Sequence, residues 1–145
     1  LGRSSTLLGQ IADEMNLELI CVDPFLDSQK EDFLKNMGVV KNYTLVSYPE
    51  FWPHPPFPWQ VRFEGVRKAA KSLHKSISLL FDDGDHHRAG VELDLETWGA
   101  KVKSGCPIIF HDYGSSWEGV KEAVDESKIL TGGFLTETLM VKYKI

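Results

Sequence analysis

The sequence predicts an open α/β sheet, mainly parallel, with an antiparallel hairpin at its carboxyl end. Three observations lead there. Apolar runs of strand length at 77–81 and 107–110 end abruptly in Asp82-Asp83-Gly84-Asp85-His86-His87 and in His111-Asp112-Tyr113-Gly114. Between them, Val91, Leu95, Trp98 and Val102 recur at the spacing of one helix face, and Lys103-Ser104-Gly105 supplies cations and a glycine to end the helix. A right-handed strand-helix-strand unit opens both polar turns on the carboxyl edge of the sheet, where ligands bind in such folds. Finally, Thr131-Gly132-Gly133-Phe134 and the alternating residues 138–143 have the pattern of a closing hairpin.

The remaining elements follow in chain order. Leu7, Leu8, Ile11, Ala12 and Met15 predict a helix whose start carries hydroxyl residues, directly after Leu1-Gly2-Arg3. Residues 17–22 form the next apolar run, which ends at Asp23-Pro24. A helix over 28–37, with Phe33 and Leu34 inward, is stopped by Gly38, and 39–46 fit a strand broken by Lys41-Asn42. Residues 48–59 interleave Pro49, Pro53, Pro55, Pro56 and Pro58 with Tyr48, Phe51, Trp52, Phe57 and Trp59, which excludes a helix or an interior strand and predicts a stiff loop. A basic amphipathic helix over 61–75 turns Val66, Ala69, Ala70 and Leu73 inward. Ser115 or Ser116 caps a last helix through Ser127, with Val120 and Val124 inward.

At 145 residues the chain is expected to be a single domain. A net charge of −5, with dispersed acidic residues, provides no electrostatic footprint for nucleic acid or anionic membrane. The two cysteines, Cys21 and Cys106, match neither a zinc ribbon nor a disulfide framework, which favours free thiols in a reducing, cytoplasmic setting. No apolar run reaches membrane-spanning length. The expected partner is a small molecule, and homo-oligomerisation is left open.

The run from Phe81 to His86 with Asp94 downstream, residues 108–113, and Gly119-Val120-Lys121 together resemble the class I S-adenosylmethionine-dependent methyltransferases. Within these the pattern is similar to the branch that includes the macrocin-type sugar O-methyltransferases, and the likeness extends from Gly2 to about Asp125. It implies a Rossmann-like sheet whose first, central strand is absent from this chain, with residues expected before Leu1. It implies that Gly2, Arg3 and Ser4 end the glycine-containing loop that cradles the methionine part of S-adenosylmethionine. A plain capped helix is the alternative there. Asp23, at a strand end, corresponds to the acidic residue that accepts hydrogen bonds from ribose hydroxyls, or else merely starts a turn. The loop over 48–59 is placed to flank adenine or cover a substrate, or to be pinned by its own aromatics or bind a partner, and His54 within it faces solvent.

Methyl transfer to oxygen needs an aligned acceptor and a place for its proton, supplied by a base, a metal that acidifies the hydroxyl, or both. By resemblance His86 is the base, with Asp83 beside it. Asp83, His111 and Asp112 form the metal set, for magnesium or manganese, and the His111 nitrogen moves the preference away from magnesium. Asp85 and Asp94 brace the turn, and His87 is exposed. Two other readings stay open: an inactive methyltransferase fold kept for binding, and a metal-dependent hydrolase using the same residues to activate water.

Overall fold

The computed structural model describes residues 2–23, 29–47, 59–114 and 116–145, and only the backbone of 59–62. The proline- and aromatic-rich stretch over 48–58, His54 and Ser115 lie outside the described residues. Two compact units form, Leu1–Ala69 and Ala70–Ile145.

The first unit contains α1 (Arg3–Glu14), β1 (Leu19–Asp23), α2 (Gln29–Asn36), a 3-10 turn (Met37–Val39), β2 (Tyr43–Ser47) and most of α3 (Trp59–Ser72). Strands β1 and β2 pair in parallel from Leu19↔Tyr43 to Asp23↔Ser47, so both strands end side by side. Cys21, Phe33, Met37 and Val40 form the core. Helix α1 lies close on it, since a Cβ at Gly9 would stand 2.6 Å from the Val40 methyls. The break at Lys41-Asn42 has a local cause: the Asp13 carboxylate accepts both backbone N–H groups, at 2.7 and 3.0 Å, and fixes where β2 begins. Leu34 departs from expectation at 41% exposed. Phe33 on α2 and Met37, which opens the 3-10 turn after it, define the inward face, and Leu34 is about 100° round from Phe33. Leu7, Ile11 and Met15 are exposed as well.

The second unit contains β3 (Leu80–Asp82), α4 (Arg88–Thr97), a 3-10 turn (Gly99–Lys101), β4 (Pro107–Phe110), α5 (Glu118–Glu126), β5 (Leu130–Thr136) and β6 (Leu139–Lys144). The sheet order is β3-β4-β6-β5. Strands β3 and β4 are parallel, and β6 runs antiparallel to both β4 and β5, as the sequence predicts. Val91, Leu95, Val102, Ile108, Phe110, Val120 and Val124 are buried together, and Trp98 is buried too, as their spacing predicts, although α4 ends at Thr97 and Val102 follows the 3-10 turn instead of lying on the helix. The run at 77–81 is only partly a strand. Ile77 bridges to Val102, and Leu79, just ahead of β3, is exposed. Helix α5 starts with Trp117 as N-cap and no side-chain capping bond, so Ser116 does not perform the predicted role. The hairpin carries a bulge where Gly133 has φ 103, and a Cβ there would lie 1.9 Å from the Val141 carbonyl oxygen.

Candidate active site

Strands β3 and β4 stop at the same level because they are parallel neighbours, and each releases its polar turn at that edge. The backbone N–H of His111 donates to the Asp82 carbonyl at 3.0 Å, extending the pairing by one residue and tying the turns together. Asp112 then takes a left-handed conformation, φ 57, which an aspartate tolerates better than most residues. Tyr113 is buried behind it, donating its hydroxyl to Asp125 at 2.7 Å, and so anchors the turn to α5.

This brings Asp83, His86, His111 and Asp112 together with one ligand atom each, all within 4.8 Å of one another. His86 Nε2 is 2.9 Å from Asp112 Oδ2 and 3.8 Å from Asp83 Oδ1. His111 Nδ1 is 3.0 Å from Asp112 Oδ2 and 3.3 Å from Asp83 Oδ1, yet it is buried without the alignment of a hydrogen bond to any described residue. Burial opposes charge on Asp112, but the contacts and charge of His111 and His86 outweigh it and hold its carboxyl below the usual range. Two carboxylates and two imidazoles converging around an unsatisfied nitrogen are a donor set that fits a divalent cation of mixed oxygen and nitrogen preference. Cavity space among the turn residues is about 10 Å³, room on the order of one water or ion.

The surrounding shell is acidic. Burial pushes Asp82 up to about 6, offset in part by the Gly84 N–H, which donates to its Oδ1 at 3.4 Å. Burial, then the charges of Asp82 and Asp85, raise Asp94 well above the ordinary carboxyl range. Asp94 leans on the turn itself: a Cβ at Gly84 would stand 2.9 Å from its Oδ2. Asp85 accepts the backbone N–H of His87 at 3.0 Å and contacts its Nδ1 at 2.7 Å, which holds His87 outward with 63% of its side chain exposed. Both braces match expectation.

Two features escape sequence reasoning. Trp117 stacks on His86 with ring centroids 4.9 Å apart and an interplanar angle of 35°. Its placement follows from Gly119, where a Cβ would meet Arg88 N at 2.5 Å and the His86 carbonyl oxygen at 2.8 Å, so only glycine lets the start of α5 press on the turn. Gly119 is visible in the sequence as part of the resemblance, but what it touches is not.

In the first unit Gly2 is the N-cap of α1 with φ 78, and Arg3 and Ser4 fall in the helix's first turn. A Cβ at Gly2 would lie 3.0 Å from the Phe33 ring, so both conformation and space call for glycine. Asp23 ends β1 opposite Ser47, whose hydroxyl oxygen is buried without a hydrogen-bond partner among the described residues. Ser47 is the second strand-end residue, and nothing in its sequence context singles it out.

A family model described as "Methyltransferase domain" matches residues 1–113. Among curated proteins, none matches. Among solved structures, the O-methyltransferase NovP superposes with a TM-score of 0.60 at 13% identity, over 96% of this chain and 66% of that one. The superposition shows a shared fold, and the chain spans about two thirds of that protein's length. With the family match extending over most of its residues, the chain belongs to the methyltransferase-domain family.

Proposed function

We propose that this chain is an S-adenosylmethionine-dependent O-methyltransferase acting on a small hydroxylated or sugar-containing acceptor, within a single methyltransferase domain. The observation that carries the reading is the convergence of Asp83, His86, His111 and Asp112 at the carboxyl edge of β3 and β4. Asp83, His111 and Asp112 would hold a divalent cation, manganese or magnesium, whose charge makes an acceptor hydroxyl more acidic. His86 would take the acceptor hydroxyl's proton, and S-adenosylmethionine, when bound, would supply the methyl group from its sulfonium, with the carbon–sulfur electron pair kept on sulfur in S-adenosylhomocysteine.

Gly2, Arg3 and Ser4 would present the start of α1 to the cofactor's carboxylate, since the first N–H groups of a helix lack partners inside it. Asp23 accepts from the ribose diol, and Ser47, directly opposite, offers a second polar group. His86 admits a second role. Its Nε2 stands as close to the Asp112 carboxylate as His111 Nδ1 does, and the nitrogen lone pair that binds a cation is the one a base would use. A fourth-ligand role and a base role at that atom therefore exclude each other.

Calorimetric titration with S-adenosylmethionine and S-adenosylhomocysteine, with and without divalent metal, tests the cofactor assignment. The parent protein should bind both, and Asp23→Asn should bind more weakly by roughly 1–3 kcal/mol with its fold intact. Absence of cofactor binding in the folded parent would favour the binding-module reading, and equal binding by the variant would remove Asp23 from the site.

A further inference from the structure

The four-residue cluster has no room for an acceptor inside it. The cavity over the turns amounts to about 10 Å³, enough for an ion or a water. The larger groove of about 400 Å³ runs past Arg88, Glu92, Leu95, Ala123 and Glu126, and includes none of the four. On the proposed reading, an acceptor that gives its proton to His86 rests on the outer rim of the cluster. Asp83 and His111 are exposed on that rim to 43% and 37% of their side chains.

Aromatic rings flank both imidazoles. Phe81 lies 6.2 Å from His111, and Trp117 lies 4.9 Å from His86 and 6.4 Å from His87. The two differ in exposure: Phe81 is half-buried, whereas Trp117 is 45% exposed. The indole's position is set by backbone contact, because Gly119 brings the first turn of α5 against the 86–88 backbone. A large aromatic side chain that is fixed beside the base and still open to solvent provides a preformed platform. Its negative π face favours the C–H face of a saturated ring or the edge of an aromatic one over a flexible chain.

We infer that Trp117 forms the wall of the acceptor subsite and selects acceptors that carry their reactive hydroxyl on a ring with a flat apolar face. The inference builds on the methyltransferase reading of the cluster. Trp117 touches the acceptor, and it orders the acceptor so that the hydroxyl reaches His86. A pyranose and a phenolic ring both present the required face, and an open-chain polyol does not.

The test uses methyl α-glucopyranoside, catechol and sorbitol as probes on the parent protein, Trp117→Ala and Trp117→Phe. Binding is followed by saturation-transfer NMR, which needs no turnover, and methyl transfer is followed separately as S-adenosylhomocysteine release. The parent should bind at least one ring probe about three- to tenfold more tightly than sorbitol, the scale of one aromatic contact. Trp117→Ala should erase that preference, with its loss in any transfer assay falling on KM more than on kcat, and Trp117→Phe should retain most of it. The arm that responds tells a carbohydrate face from an aromatic one. A parent without ring preference, or a Trp117→Ala protein that keeps it, overturns the inference. Methyl transfer with an unchanged preference sinks the inference and leaves the methyltransferase reading standing. Ring preference lost in Trp117→Ala without any transfer does the reverse.

Discussion

Gly119→Ala puts one carbon where the structure has no room. The new Cβ would stand 2.5 Å from Arg88 N, 2.8 Å from the His86 carbonyl oxygen and 3.1 Å from the His87 carbonyl carbon, against an ordinary contact of 3.4–4 Å. All three neighbours are backbone, so no side chain can rotate away, and α5 must retreat from the turn. Overpacking of this kind costs about 1–3 kcal/mol, and alanine's helix preference over glycine returns at most about 1 kcal/mol, less in a first turn. The expected net is a loss of about 1–2 kcal/mol, read as a lower urea midpoint with an unchanged slope. Because the retreat moves the His86–Trp117 stack, divalent-metal affinity or the Trp117 fluorescence response should change in the same variant. Gly38→Ala is the control, since a Cβ there would meet nothing within 4 Å and its stability should barely move. An unchanged or raised midpoint for Gly119→Ala would refute the close approach of α5 to the turn.

Three further outcomes are expected. Asp94 is held protonated above its unfolded value by burial and by Asp82 and Asp85, so the parent loses stability as pH rises from about 4 towards the raised folded value. Asp94→Asn should therefore exceed the parent in urea resistance at about pH 7.5 and lose that advantage near pH 4; a pH-independent difference would contradict the assignment. Asp125 has the opposite sign: hydrogen bonds from Lys121 and Tyr113 lower its carboxyl, so its contribution is present above about pH 4 and disappears as pH falls through the depressed value. Being 38% exposed, it should cost only about 0.5–1 kcal/mol as Asp125→Asn at neutral pH, with the two proteins converging in acid. His86→Ala should lower transfer by about 10²–10⁴ while keeping metal and cofactor affinity. A matching collapse of metal affinity would make His86 a fourth ligand instead.

The fold was legible where hydrophobic period and strand length agreed. Val91, Leu95 and Val102 on α4 and the turn after it, and Val120 and Val124 on α5, fall inside as their spacing requires, and the 107–110 run is the strand β4. Errors came where a neighbour in space decides. Leu34 fits an inward pattern until Phe33 and Met37 claim the face, and Leu79 belongs to an apolar run whose first three residues lie outside β3. The cluster was readable because βαβ handedness brings two strand ends together, and each end announces itself by a sudden change from apolar to ionisable residues. Trp117 and Ser47 were not, since an aromatic before a helix and a serine ending a strand have many ordinary uses. Only the contacts with His86 and the alignment with Asp23 distinguish them.

At the centre of the proposed chemistry, methyl transfer to a hydroxyl oxygen depends on a cation held by Asp83, His111 and Asp112. The most direct measurement follows methyl-labelled S-adenosylmethionine with a hydroxylated acceptor, using parent protein stripped by chelator, the same protein with manganese or magnesium restored, and Asp112→Ala treated identically. Label should reach the acceptor oxygen only after metal is restored to the parent, and almost none should do so with Asp112→Ala under any condition. Transfer at the full rate in stripped protein, or by Asp112→Ala, would contradict the metal-dependent mechanism.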